Sequence, residues 1–161
     1  MINLNKKKIF LLIFLISLFA LISAYFIEYV LGHQPCNLCL IERIPYMGAL
    51  IIIIINFKFN YLEKYLILLL IFVFLAGTLI SLYHFGIEQG FITESLVCDL
   101  KNSSKILSKE EILQQLQQKM VSCKDVTFKI FGFSLTILNI LISLLITIVL
   151  TKIYLCYEKN K

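Results

Sequence analysis

Four long apolar segments, separated by shorter polar ones, dominate the hydrophobic pattern of this chain. They cover residues 9–30, 40–57, 65–85 and 130–154. A helix needs about 20 apolar residues to cross a hydrocarbon core of roughly 30 Å. The pattern therefore predicts an all-α membrane protein, in which a four-transmembrane-helix bundle forms one integral membrane domain over residues 1–161.

The composition supports this interpretation. Hydrophobic residues make up 60% of the 161 residues and charged residues only 16%, and the mean hydropathy is +0.90. A soluble domain of this size would have a far more polar composition. The sequence also contains no nucleotide-binding loop, nucleic-acid-binding patch or internal repeat.

The lysines indicate how the chain is oriented. Four spans place three short segments on one side of the membrane, and the loops of residues 31–39 and 86–129 on the other. The short segments carry eight lysines and two acidic residues, whereas the longer loop has six of each. Because lysine is enriched on the cytoplasmic side, both termini are predicted to be cytoplasmic. A cleaved signal peptide over residues 1–24 is the alternative, but the apolar run continues to residue 30.

This topology divides the five cysteines. Cys36, Cys39, Cys98 and Cys123 fall on the outer side, where thiols tend to be oxidised, whereas Cys156 falls on the inner side. The Cys36–Cys39 C-x-x-C motif suits reversible disulfide chemistry, because its sulfurs can meet across a tight turn. Static disulfides are one alternative, although so short a loop constrains little entropy. A Cys₄ zinc site is another, disfavoured because Cys98 and Cys123 are 25 residues apart.

The length of the second span places the C-x-x-C motif at the membrane edge. Its 14 residues from position 44 to 57 extend only about 21 Å as a helix, so the four preceding residues must help to cross the core. Cys39 is then expected near the lipid headgroups, within reach of a lipid-soluble redox molecule. Glu42 and Arg43 are drawn into apolar surroundings, where charge is usually functional. Pro45 is expected to delay the start of the regular helix.

Arg43 is the only arginine of the chain, which has 14 lysines. Its guanidinium group is planar, always protonated and able to fork onto an oxygen, which suits a ligand carbonyl or a buried anion better than an ammonium group does. If the helix has begun by Cys39, Arg43 lies on the same face and can lower a thiolate pKa. An interfacial anchor that pairs with Glu42 or lipid phosphate is the alternative.

Together, these features resemble the bacterial disulfide bond formation protein B (DsbB) family. The residues that carry the resemblance are the Pro-Cys-Asn-Leu-Cys-Leu-Ile-Glu-Arg motif of residues 35–43, four spans with both termini inside, and a second cysteine pair in the loop between spans three and four. The resemblance implies an oxidase of the bacterial inner membrane whose active cysteines are periplasmic. Such an enzyme reoxidises a DsbA-like protein of thioredoxin fold and passes the electrons to ubiquinone or menaquinone.

The resemblance also implies a role for each cysteine pair. Cys36 and Cys39 match the pair that is coupled to the quinone, with Cys39 facing it. Cys98 and Cys123 match the pair that exchanges with the protein partner, with Cys98 forming the mixed disulfide. Cys156 has no assigned role.

Outside the cysteines, the resemblance implies that Arg43 helps to bind and activate the quinone. His84, at the outer end of span three, is a second candidate quinone-binding residue, and Glu88 beside it is unassigned. No metal ligand is assigned. The polar or small residues at positions 77, 81, 136, 139 and 143 are interpreted as helix-packing residues.

A capping-box pattern at residues 108–111, followed by apolar residues at helical spacing, predicts a short amphipathic helix in the second periplasmic loop. This helix could lie flat on the bilayer or pack on the bundle.

Two other functions are compatible with part of the sequence. A quinone reductase resembling the vitamin K epoxide reductase family also combines four spans with C-x-x-C, but there the motif lies on a late span. A non-catalytic membrane scaffold with structural disulfides is the alternative outside the enzymes. Bound quinone and quinone-dependent thiol oxidation would distinguish an oxidase from a scaffold.

Overall fold

The computed structural model describes residues 2–58, 62–93, 123, 129–130 and 133–159. Within these ranges the helices are α1 (Ile2–Tyr29), α2 (Asn37–Ile41), α3 (Ile44–Lys58), α4 (Glu63–Glu88) and α5 (Leu135–Lys159). Two short strands, β1 (Lys129–Ile130) and β2 (Phe133–Ser134), pair antiparallel just before α5.

Four stretches of these helices are long and apolar enough to cross a membrane. They are Lys7–Tyr29, Asn37–Lys58, Glu63–Glu88 and Leu135–Cys156, so α2 and α3 together form one span. The predicted all-α architecture of four membrane-spanning helices is confirmed. The predicted amphipathic helix of the second loop lies outside the described residues.

One apolar core joins the four spans. Helix α3 contacts both α1 and α4, and α4 packs along α5. Buried side chains from all of them meet in this core, including Phe10, Ile13, Ile53, Phe74 and Leu150. The outward faces are also apolar, as the exposed side chains of Leu12, Phe72 and Leu79 show. Helices that are apolar on all sides are typical of a bundle surrounded by lipid.

The second span is interrupted at Glu42 and Arg43, between α2 and α3. Pro45 has no N–H to donate to the regular helical hydrogen-bond pattern. Just before it, the Arg43 N–H bonds to the Leu40 carbonyl at 3.2 Å, three residues back rather than the four of a regular α-helix. Helix α3 begins at Ile44, next to the proline that is expected to delay it. The interruption aims the Glu42 and Arg43 side chains at different neighbouring helices.

A glycine allows α4 to approach this interruption closely. A Cβ atom at Gly77 would lie 3.0 Å from Cγ and 3.2 Å from Cβ of Pro45. Small residues are what permit such close approach between membrane helices. His84 lies seven residues further along α4, which is about two turns and therefore the same face. The contact thus holds His84 against the α2–α3 junction.

The fourth span starts later in the structure than the hydrophobic pattern predicts. The apolar segment begins at residue 130, whereas α5 begins at Leu135. Ile130 pairs with Phe133 across the two-stranded ladder, so these apolar residues do not belong to the helix. Ser134, which ends β2, and Thr136, in the first turn of α5, are both buried.

Candidate functional site

A cavity of about 740 Å³ lies between α1 and α5, at the end of the bundle where α2 begins. Its volume is in the range of about 300–1,000 Å³ that is usual for pockets binding small molecules. Residues of α1 and α5 form most of the wall, which is predominantly apolar. Three cysteines reach the same cavity, namely Cys36, Cys39 and Cys123.

The structure brings together three of the four predicted active cysteines. Cys36 and Cys39 are free thiols, whereas Cys123 is disulfide-bonded. Cys36 is buried with Cys123, and both pack against Leu38 in one small cluster. Cys98 lies outside the described residues. The C-x-x-C motif thus shares a buried cluster and a cavity with a cysteine of the second predicted pair.

Cys36 occupies the N-cap position of α2. Its backbone is extended, with φ −73° and ψ 167°, and its sulfur accepts a hydrogen bond from the Cys39 backbone N–H at 3.2 Å. The pKa of Cys36 is lowered from 9.0 to about 5, mainly by a hydrogen bond from the Cys39 side chain and further by His84. Burial alone would raise this pKa. Because the thiolate is the reactive form, Cys36 is prepared to act as a nucleophile or a leaving group.

His84 is the centre of a buried polar network, with a side chain only 3% exposed. Its Nδ1 lies 2.8 Å from Oε1 of Glu42, and its Nε2 faces the Cys36 sulfur at 3.6 Å. Nε2 is also 3.9 Å from Oε1 of Glu88, an oxygen that accepts a hydrogen bond from Thr136 at 2.5 Å. One side of the imidazole therefore contacts a carboxylate, and the other contacts a thiol.

Asn139 extends this network into α5. Its Nδ2 donates to Oε2 of Glu42 at 2.9 Å and to Ser81 at 2.7 Å, and its Oδ1 accepts a hydrogen bond from the Tyr46 hydroxyl. Both carboxylate oxygens of Glu42 thus have a partner. A charge in apolar surroundings needs such partners, because its burial is otherwise costly. Glu42, 9% exposed, is held by side chains from two neighbouring helices.

Arg43 points away from this network, towards α1. Its Nη1 donates to Oε2 of Glu28 at 2.6 Å, and its guanidinium carbon lies 4.9 Å from the ring centroid of Tyr25. The Arg43 side chain is 12% exposed and lines the cavity. The acidic partner of Arg43 is therefore Glu28. The alternative raised from the sequence, an interfacial anchor, pairs Arg43 with Glu42 or lipid phosphate instead.

Several polar residues of this site have no functional assignment from the sequence. Ser81, Thr136 and Asn139 are interpreted there as helix-packing residues, and Glu88 is unassigned. A usable signal is nevertheless present, because positions 81, 84 and 88 share one face of an apolar helix, as do 136 and 139. Polar faces inside apolar spans tend to pair with one another. This tendency could have predicted from the sequence that these residues lie close together.

Comparison with known proteins gives extensive matches. The family model described as disulfide bond formation protein DsbB matches residues 6–153. An uncharacterized protein of Rickettsia prowazekii is 32% identical over 157 residues, which cover 96% of this chain and 91% of the relative.

Two further relatives carry a descriptive name. The SPbeta prophage-derived disulfide bond formation protein B of Bacillus subtilis is 31% identical over 133 residues, or 82% of this chain and 86% of the relative. The disulfide bond formation protein B of Marinobacter nauticus is 36% identical over 53 residues, or 33% and 32% of the two chains. The family model spans most of the residues, which confirms the resemblance noted in the sequence. This chain therefore belongs to the DsbB family of disulfide bond formation proteins.

Proposed function

We propose that this protein reoxidises a periplasmic DsbA-like dithiol protein and passes the electrons through two cysteine pairs to a membrane quinone, ubiquinone or menaquinone. Membership of the DsbB family establishes a disulfide-forming membrane oxidoreductase, and the partner and the electron acceptor are the proposed part. The observation that carries the proposal is a single apolar cavity lined by Cys36, Cys39 and Cys123. In this proposal the cavity lies at the periplasmic face of the inner membrane, and both termini lie in the cytoplasm.

The two cysteine pairs divide the reaction between a soluble and a lipid-phase reactant. A thiolate of the partner attacks Cys98 and releases Cys123, and the second thiolate of the partner then displaces Cys98, so the partner leaves with a disulfide. The resulting Cys98–Cys123 dithiol reduces the Cys36–Cys39 disulfide by the same exchange. Each exchange moves two electrons and two protons. The shared buried cluster of Cys36 and Cys123 supports the second exchange.

The residues around the cavity fit a quinone. The wall is mostly apolar, and Arg43 supplies a guanidinium group that can hold a carbonyl oxygen. When bound, a quinone supplies the oxidising power by accepting two electrons and two protons. Cys39 would be the sulfur that faces it, and the apolar walls of α1 and α5 would exclude water.

His84 and Glu42 would assist the thiol chemistry at Cys36. The His84 Nε2 faces the sulfur at 3.6 Å, and the Glu42 contact on Nδ1 fixes the orientation of the ring. A thiolate stabilised in this way is a better leaving group. We therefore assign His84 a role towards Cys36 in addition to the predicted contact with the quinone.

The proposal is tested by mixing the purified protein with a reduced thioredoxin-fold partner and a short-chain ubiquinone, and by following quinone absorbance. We expect turnover that is lost in Cys36→Ser and in Cys39→Ser. Cys156→Ser is the matched control, because this exposed cysteine lies at the opposite end of α5, and it should retain activity. Turnover that persists in both active-site variants would exclude the proposed circuit. A wild-type protein without quinone-dependent thiol oxidation would favour the scaffold function.

A further inference from the structure

The C-x-x-C thiols and His84 form a compact cluster of metal-binding atoms. The sulfurs of Cys36 and Cys39 and a ring nitrogen of His84 all lie within 4.8 Å of one another. In a tetrahedral zinc site, Zn–S bonds of about 2.3 Å and Zn–N bonds of about 2.05 Å place sulfur and nitrogen about 3.6 Å apart. The observed distance from the Cys36 sulfur to His84 Nε2 is 3.6 Å. This edge of the cluster therefore already has the spacing of a coordinated pair.

His84 is oriented as a metal-binding histidine usually is. Its Nδ1 contacts the Glu42 carboxylate at 2.8 Å, which leaves Nε2 facing the sulfurs. Such a carboxylate behind the imidazole fixes the tautomer and increases the basicity of the ligating nitrogen. Asn139 holds the other oxygen of Glu42 at 2.9 Å. The ring is thus positioned through contacts that are independent of the thiols.

Glu88 provides a fourth donor beside the cluster. Its side chain is only 5% exposed, and its Oε1 lies 3.9 Å from His84 Nε2. Its Oε2 is buried, and this oxygen has no hydrogen-bond partner among the residues that the structure describes. A buried carboxylate oxygen without a partner is costly. A cation held between Glu88 and the thiols would satisfy it.

We propose that the reduced protein binds one Zn²⁺ ion through Cys36, Cys39, His84 and Glu88. Two thiolates, one imidazole and one carboxylate form a donor set that suits this ion. Both cysteines bind the ion as thiolates, so any proton that the pair still carries is released on binding, and no electron is transferred. This site differs from a Cys₄ site, because its remaining ligands come from α4 rather than from the distant cysteines.

Zinc binding at this site would depend on the redox state of the C-x-x-C pair. A Cys36–Cys39 disulfide offers no thiolate, so only the reduced pair can hold the ion. A bound ion would also coordinate the sulfur lone pairs that the thiolates need in order to form the next disulfide bond. Zinc would therefore hold the protein in its reduced form. This last consequence rests on the proposed function, whereas the binding itself does not.

The test is a titration of Co²⁺, a spectroscopic substitute for zinc, into the full-length reduced protein under anaerobic conditions. We expect one ion per chain, with sulfur-to-cobalt charge-transfer absorption and the visible bands of tetrahedral cobalt, both lost on addition of Zn²⁺. The same chain with its C-x-x-C pair oxidised should show neither. This comparison needs no substitution, so it does not depend on the folding of a variant.

Matched variants then identify the ligands. His84→Gln should weaken binding about tenfold or more, and Glu88→Gln should weaken it by a smaller factor. His33→Gln is the control, since this second histidine lines the same cavity but is not in the cluster. Zinc should also protect Cys36 and Cys39 of the reduced protein from alkylation. Equal binding by the oxidised protein, a cobalt spectrum without the sulfur band, or unchanged binding in His84→Gln would overturn the proposal.

Discussion

Replacing Asn139 by leucine should destabilise the bundle more than the same replacement at Asn56, a buried asparagine of α3. The Asn139 side chain donates to Glu42 and Ser81 and accepts from Tyr46, so it joins α5 to two other helices. Leucine has a similar size but keeps none of these hydrogen bonds. Glu42 would then retain a buried oxygen that has lost its donor.

The cost follows from the kinds of bond that are lost. The hydrogen bond to the Glu42 carboxylate involves a charged group, and such bonds contribute about 1.5–3 kcal/mol. Neutral hydrogen bonds between membrane helices, like the two to Ser81 and Tyr46, contribute about 0.6 kcal/mol each. We therefore expect Asn139→Leu to lower the free energy of unfolding by about 3 kcal/mol.

Asn56 of α3 provides the matched control. It is buried, with 6% of its surface exposed, but within the described part of the chain its Oδ1 has no hydrogen-bond partner. Asn56→Leu should therefore change the free energy of unfolding by less than about 1 kcal/mol, because replacing an unsatisfied polar group costs little. Both variants are compared with wild type by unfolding in mixed micelles of mild detergent and dodecyl sulfate, monitored by circular dichroism. Equal losses in the two variants would refute the reasoning.

Three further predictions concern the reaction itself. Arg43→Lys should raise the Michaelis constant for quinone and Arg43→Ala should raise it more, by about tenfold, since the forked contact and then the charge are lost; unchanged quinone kinetics in Arg43→Ala would reduce this residue to an anchor paired with Glu28. The alkylation rate of Cys36 in the reduced protein, measured by mass spectrometry, should rise with pH through a midpoint near 5. The reason is that only the thiolate reacts, and Cys36 becomes protonated only below its lowered pKa. A midpoint near the pKa of an ordinary thiol would contradict this prediction. A partner that retains only its attacking cysteine should be trapped on Cys98, and peptide mapping that finds the adduct mainly on Cys36 or Cys39 would reverse the order of the two pairs.

The fold was predictable because it depends on properties that can be read along the chain. The lengths of the apolar runs predict four spans, and the C-x-x-C motif falls at the start of the second one. The start of α5 was less accessible, because Ile130 and Phe133 are apolar whether they belong to a helix or to a ladder. Hydrophobicity alone does not distinguish these two states.

The polar network of the site was not predictable, because it depends on how the helices are rotated against one another. His84 reaches Glu42 because the Gly77 contact with Pro45 brings α4 against the α2–α3 junction, and Asn139 reaches it from α5. That geometry is a property of pairs of helices, and hydropathy describes each helix separately. The same reason explains why Arg43 was identified as a site residue but its partner Glu28 was not.

The interruption between α2 and α3 constrains the number of residues between Cys39 and Pro45 more strictly than it constrains which residues they are. Glu42 is bonded to α4 and α5, and the next residue, Arg43, is bonded to α1. Inserting or deleting one residue rotates everything beyond it by about 100° around the helix axis. Such a change would point each charge at the wrong neighbour, even if every side chain were kept. Apolar residues in this segment can therefore be exchanged during evolution or engineering, whereas the number of residues between Cys39 and Pro45 has to stay the same.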